Sequence, residues 1–245
     1  MTINKSYLYS IITHSTAIEG STLSELDTQL LFDEGITAKG KPLVHHLMNE
    51  DLRKAYLFAF AEAGKKTPVT PAFLRDLNAL VMKSTGGINH VAAGTFDSSK
   101  GEYRLCGVTA GLGGKSYLNY LKVTDRVAGL CDELNRRLTG SKNWKDVYRL
   151  SFDAHLNLVG IHPWLDGNGR TSRLLMNYIQ FYYHLIPTKI YKEDKADYIT
   201  SLIESREKEE NIPFRTFMLQ QHLKSLREEI SHHRHSPEEE PKLLF

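Results

Sequence analysis

Apolar residues recur every three to four positions along most of this chain, the spacing that lines one face of an α-helix. Leu23 to Phe32 shows that pattern and stops at Gly35. Leu43 to Ala63 repeats it between Pro42 and Gly64. Thr70 and Pro71 precede Phe73, Leu74, Leu77 and Leu80, which predicts a helix with Thr70 as N-cap and Pro71 at its first position. Further helices are predicted over Val123 to Leu138 and over Trp144 to Ile161, the latter with Val147, Leu150, Ala154, Leu158 and Ile161 on one side. Asn168 to Tyr183, Lys195 to Glu209 and Pro213 to Ile230 complete the helical set.

Two stretches depart from this pattern. Residues 86–118 hold eight of the 17 glycines together with many β-branched and aromatic residues. Within them, Glu102-Tyr103-Arg104-Leu105 and Val108-Thr109-Ala110 read as short strands around a turn at Cys106-Gly107, predicting a β-hairpin. The C-terminal SHHRHSPEEEPKLLF is polar and charged, which predicts a disordered tail over 226–245. His232, His233 and His235 in that tail are at most fortuitous metal ligands. No internal repeat is present.

Composition narrows the class. A chain of 245 residues with 41% hydrophobic and 24% charged positions suits one sizeable globular domain or two small ones. The net charge of +2 gives no electrostatic case for nucleic acid or for an anionic membrane surface. The two cysteines, Cys106 and Cys131, lack metal-site spacing, so a reducing compartment is expected. The segment MTINKSYLYSIITHST has no signal-peptide core and no run approaches 18 apolar residues, so a cytoplasmic location is expected.

The chemistry concentrates in HPWLDGNGRTSR, residues His162 to Arg173. Gly167 and Gly169 let backbone approach an anion closely. A glycine-rich turn feeding a helix start aims free N–H groups at that anion. Arg170 and Arg173 lie three apart, so both can project from the first turn. Asp166 suits Mg²⁺, which takes one or two carboxylates together with substrate phosphates. His162 can accept a proton near neutral pH. This is equipment for holding a triphosphate and deprotonating a nucleophile beside it.

The stretch resembles the signature of Fic-domain proteins, HPFxxGNGRxxR, with Trp164 in place of the usual Phe. The resemblance implies a mostly helical, all-α fold with a small β-hairpin flap over the active site. It implies transfer of AMP from ATP to a Tyr, Thr or Ser hydroxyl of a target protein, with self-modification as a side reaction. His162 would be the base and Asp166 the Mg²⁺ ligand. Gly167, Asn168, Gly169, Arg170 and Arg173 would bind the phosphates, and Tyr198 is a candidate for the adenine pocket. Arg104, Val108 and Thr109 fall in the flap that registers the target. The family often has Pro-Pro just after the flap, and this chain has Tyr117-Leu118.

Ser15 to Gly20 read STAIEG. Alone this is an ordinary helix start with a solvated glutamate. It is also similar to the family's inhibitory motif [S/T]xxxE[G/N], in which Glu19 would occupy Arg173 in place of the ATP γ-phosphate. The resulting division is an inhibitory-helix region over 1–40, a core over 41–225 with its flap at 102–118, and the tail. A homodimer is among the family's habits. Three alternatives stay open: removal of AMP, use of another nucleotide donor, and a regulatory module that binds ATP without turnover.

Overall fold

The computed structural model describes residues 3–110, 114–139 and 143–235, with side chains to 231. Among the described residues the chain forms nine α-helices and one two-stranded sheet. The helices are α1 (Lys5–Ile18), α2 (Glu25–Glu34), α3 (Leu43–Gly64), α4 (Pro71–Val81), α5 (Val123–Leu138), α6 (Trp144–Ile161), α7 (Asn168–Tyr182), α8 (Lys195–Lys208) and α9 (Ile212–His235). The strands β1 (Ile88–Val91) and β2 (Gly94–Asp97) pair antiparallel between α4 and α5, with Ile88 opposite Asp97.

Local chemistry sets the ends of these helices. Ser24 and Asp27 form a reciprocal capping box at the start of α2, and Gly35 closes it in a left-handed conformation. The Thr70 hydroxyl accepts from Phe73 N with Pro71 following, as its sequence predicts. The Asn143 side chain accepts from Asp146 N at the start of α6.

α7 is the central helix. Leu174, Leu175, Tyr178 and Ile179 are buried completely, α6 and α3 pack beside it, and Phe181 stacks on Phe60 of α3 at 4.3 Å. Burial of each such large apolar side chain stabilises the fold by about 1.5–3 kcal/mol. An all-round buried helix is a rigid platform, and its N-terminus opens at the candidate site.

Three expectations change. The STAIEG segment ends a helix rather than starting one: α1 runs Lys5–Ile18, Glu19 caps its C-terminus, and Gly20 exits at φ 101°. The strands predicted at 102–105 and 108–110 do not pair with each other. Thr109 instead bridges Ser116, with Ala110 N donating to Lys115 O and Tyr117 N to Val108 O. In place of a ladder, the 102–105 segment is held by Arg104, which turns inward onto the carbonyls of His162, Cys106 and Leu118. Finally, α9 continues to His235, so residues 226–235 are helical where composition predicted disorder. The buried Ser225 and the half-buried Leu226 carry the packed face up to the apparent start of the tail, and Ile230 beyond it is exposed. Residues 236–245 lie outside the described residues. No helix among those described is long and apolar enough to cross a membrane.

Candidate active site

The loop from His162 to Gly167 joins α6 to α7 and carries the chemistry. It begins with His162 in a left-handed backbone conformation (φ 52°), which turns the chain sharply at the end of α6. Non-glycine residues adopt that region rarely, and functional loops hold a disproportionate share of them. The indole of Trp164 is fully buried and donates to Gly101 O at 3.0 Å. Asn168 closes the loop: its Oδ1 accepts from Trp164 N at 3.1 Å and its Nδ2 donates to Trp164 O at 2.9 Å. The Asn168 side chain is therefore spent on the loop, not on a phosphate. Its backbone N–H, with that of Gly169, stays at the open N-terminus of α7.

The two glycines act differently. Gly167 sits at φ 80°, a turn that L side chains rarely adopt, and a Cβ there would meet Asn78 Nδ2 at 2.7 Å. Gly169 is helical, but a Cβ there would lie 2.5 Å from Glu19 Oε1. Its bareness lets an anion come down onto the first turn of α7, and in this structure that anion is the Glu19 carboxylate.

Glu19 and Arg173 meet directly. Arg173 Nη2 donates to Glu19 Oε1 at 2.6 Å, while Nε donates to Ser15 Oγ at 2.8 Å and Nη2 also to Ser15 O at 2.9 Å. The arginine side chain is 3% exposed and the glutamate 33%, so the carboxylate keeps one open side. Burial alone would raise the Glu19 carboxyl pKa. The charge and hydrogen bond of Arg173, backed by Arg170 and Lys195, hold it below the usual range instead. The helix end that presents Glu19 is itself pinned to α3: Thr16 Oγ1 donates to Asn49 Oδ1 at 3.0 Å, and Asn49 Nδ2 to Ser21 Oγ at 3.2 Å.

Tyr198 lies beneath Arg173, 2% exposed, sharing a 3.0 Å hydrogen bond with His155 and receiving Arg173 Nη1 at 3.5 Å. Enclosure by Phe214 and Phe217 removes it from any adenine-stacking role. It supports the arginine instead. Arg170 is also buried, donating to Val81 O at 3.4 Å and lying 3.5 Å from Asp166. Asp166 is 68% exposed and reaches outward from the loop. It can serve as a carboxylate for a hard cation. Among the described residues no group of three or more His, Cys, Asp or Glu could hold an ion, so an ion here would draw most ligands from phosphate and water.

His162 is half-buried, and desolvation drops its pKa to about 4, with the nearby Arg104 charge acting in the same direction. Its Nδ1 faces the Val159 carbonyl at 3.4 Å. A carbonyl only accepts, so this contact places the proton on Nδ1 and leaves Nε2 as the basic nitrogen. The ring stacks on Tyr117 at 3.9 Å and 17°.

Arg104 does not face outward toward a target. It is 1% exposed and donates to the carbonyls of His162 (2.8 Å), Cys106 (2.6 Å) and Leu118, anchoring the flap to the motif loop. Val108 is half-buried and Thr109 exposed on the flap. Arg206 of α8 donates to Ser116 O, and Lys115 pairs with Glu207, so α8 holds the far side of the flap. A groove of about 710 Å³ opens between α5, α6, α8 and the flap, with Leu118, Leu130, Leu156 and Leu202 among its walls and Tyr117 at its edge.

Sequence reasoning missed Asn49, Tyr117, His155 and Arg206. Asn49 had a signal: it falls three before Leu52 and seven before Tyr56, a polar residue on an apolar helical stripe. The others had none, since their partners are distant in sequence.

The comparisons agree on the fold. The Fic/DOC family matches residues 68–180. A protein adenylyltransferase Fic from Nematostella vectensis is 26% identical over 202 residues, covering 79% of this chain and 42% of that protein. Its counterpart from Drosophila willistoni is 29% identical over 196 residues, covering 79% and 36%. A Fic domain containing signaling protein from Bacteroides thetaiotaomicron superposes with a TM-score of 0.81 at 24% identity, over 96% of this chain and 90% of that one. The chain spans less than half the length of these curated relatives.

Proposed function

We propose that the chain, whose residues 68–180 match the Fic/DOC family, transfers AMP from ATP to a hydroxyl side chain of a protein, under restraint by Glu19. One observation carries the reading. A neutral histidine, the open N-terminus of α7 and a buried arginine converge on one loop, and a carboxylate from a remote helix occupies the arginine.

The chemistry follows from these groups. His162 Nε2 takes the proton of the attacking hydroxyl as its oxygen bonds to the α-phosphorus. The bond from that phosphorus to the α,β-bridging oxygen breaks, and pyrophosphate leaves. The N–H groups of Asn168 and Gly169, with the α7 dipole, stabilise the charge that gathers on the phosphate oxygens. Arg173 would hold the γ-phosphate through charge-assisted hydrogen bonds. Asp166 would hold Mg²⁺, which neutralises the leaving pyrophosphate. The groove beside Tyr117 offers the apolar walls of Leu118 and Leu202 to the nucleobase, since Tyr198 is closed off. The exposed flap residue Thr109 suits registration of an extended target segment alongside the hairpin.

Glu19 restrains the reaction by competition. With its carboxylate on Arg173, an incoming γ-phosphate loses its partner and meets a like charge. A pair of this kind biases the site by about 1–3 kcal/mol, roughly a fivefold to 150-fold effect.

Parallel incubations with ATP labelled at the α- or the γ-phosphate test the reaction class. Protein-bound label from the α-position alone is expected. Label retained from the γ-position would replace AMP transfer with phosphoryl transfer.

A further inference from the structure

We propose that Tyr117 is a positioning residue for the base, its ring fixing the His162 imidazole by face-to-face stacking so that Nε2 stays aimed at the attacking hydroxyl. The proposal rests on the assignment of His162 as base and deepens it.

The argument starts from how little else holds that ring. The hydrogen bond of Nδ1 to Val159 O is 3.4 Å long, at the outer limit of a useful N–H···O contact. The His162 backbone is fixed on both sides, by Arg104 Nε on its carbonyl and by Leu158 O accepting its N–H. Neither contact restrains rotation of the imidazole about its own side-chain bonds. Tyr117 does. Its ring lies 3.9 Å from the imidazole at an interplanar angle of 17°. A parallel plate at van der Waals distance excludes the tilted and edge-on orientations.

Tyr117 is in turn firmly placed. Its N–H donates to Val108 O across the flap, and the Arg206 guanidinium lies 5.0 Å over its ring. Arg206 also takes the neighbouring Ser116 carbonyl, and Lys115 meets Glu207 of the same helix at 3.4 Å. The orientation of the base is thereby passed from α8 through the flap. The same ring offers a π-face to the imidazolium that forms when the proton is taken, a contact that strengthens as the charge develops.

The test uses the Glu19→Gly protein as parent and adds Tyr117→Ala or Tyr117→Phe. Tyr117→Ala is expected to lower kcat for AMP incorporation by about a hundredfold, the scale of a misoriented catalytic group, and to change ATP affinity by calorimetry far less than kcat. Tyr117→Phe is expected to recover most of that loss, because the plate and not the hydroxyl acts. Full turnover in Tyr117→Ala, or a loss confined to ATP affinity, would overturn the proposal. A readout without turnover separates this idea from the reaction class. In ¹⁵N-histidine spectra the His162 signals should show a fixed Nδ1–H tautomer in the parent and in Tyr117→Phe, and tautomer averaging in Tyr117→Ala. Identical His162 signals in all three would overturn the positioning role even if no nucleotide were transferred.

Discussion

Glu19 Oε1 accepts a 2.6 Å hydrogen bond from Arg173 Nη2, joining residues 154 positions apart in the sequence. The bond ties the end of α1 to the second turn of α7. It also puts a carboxylate where Gly169 leaves room for an anion. Structure and proposed regulation meet at this contact.

The contact has a second anchor in Ser15, whose hydroxyl takes Arg173 Nε. Ser15→Ala removes that bond but leaves the Ser15 carbonyl and Glu19 in place. A hydrogen bond to a charged group is worth about 1.5 kcal/mol or more, so basal AMP incorporation should rise on the order of tenfold, less than in Glu19→Gly. Rates equal to those of the unaltered protein would show that the hydroxyl does not help seat the inhibitor.

Under the proposed mechanism the acid dependence of the reaction is set by His162. Burial brings its pKa to about 4, against about 6.5 for a free imidazole. The base works only when neutral, so activity is lost as pH falls through the folded value. The acid limb of kcat/KM in Glu19→Gly should lie well below pH 6, and lower still for loss of the Glu19 charge, which raises the histidine's pKa. A limb centred near 6.5 would contradict the burial of the base.

Stability should follow the same sign. His162 and His222 both have folded pKa values lowered to about 4 by burial. Between pH 6.5 and 4 the unfolded chain binds more protons than the folded one, so stability falls as pH drops across that window and the histidine contribution levels off below it. His222→Gln should flatten the slope of Tm against pH in this range. An unchanged slope would remove His222 from the account.

Much of this was legible in the chain. The ends of α5 and α6 were predicted where they occur, because each carries an unbroken apolar stripe bounded by polar residues. The motif loop was legible because glycine, arginine and histidine at that spacing have few other uses. The flap was legible only as a departure from helix: the strands predicted at 102–105 and 108–110 do not pair, and the two-stranded sheet lies at 88–97. Glycine-rich strands carry little alternation to fix pairing, and Arg104 reads as an exposed charge until its three carbonyl partners are seen. Tyr198 failed for a related reason. On α8 its face is decided by the packing of α9, which local periodicity does not report.

Asn168 gives a prediction that separates loop from ligand. Its amide pairs with both backbone groups of Trp164 in a buried setting. Asn168→Ala should cost about 2–4 kcal/mol by leaving two polar groups unsatisfied, lowering Tm by roughly 4–16 °C. A variant that kept its Tm while losing ATP affinity would return Asn168 to phosphate binding.

The most direct test of the central claim is self-modification with α-labelled ATP and Mg²⁺ in three proteins: the unaltered chain, Glu19→Gly, and Glu19→Gly with His162→Ala. The account predicts strong label in Glu19→Gly, found by mass spectrometry as AMP on a hydroxyl residue, little in the unaltered chain, and none in the double variant despite retained ATP binding. Equal label in the first two would contradict restraint by Glu19. Label persisting in the double variant would contradict His162 as the base.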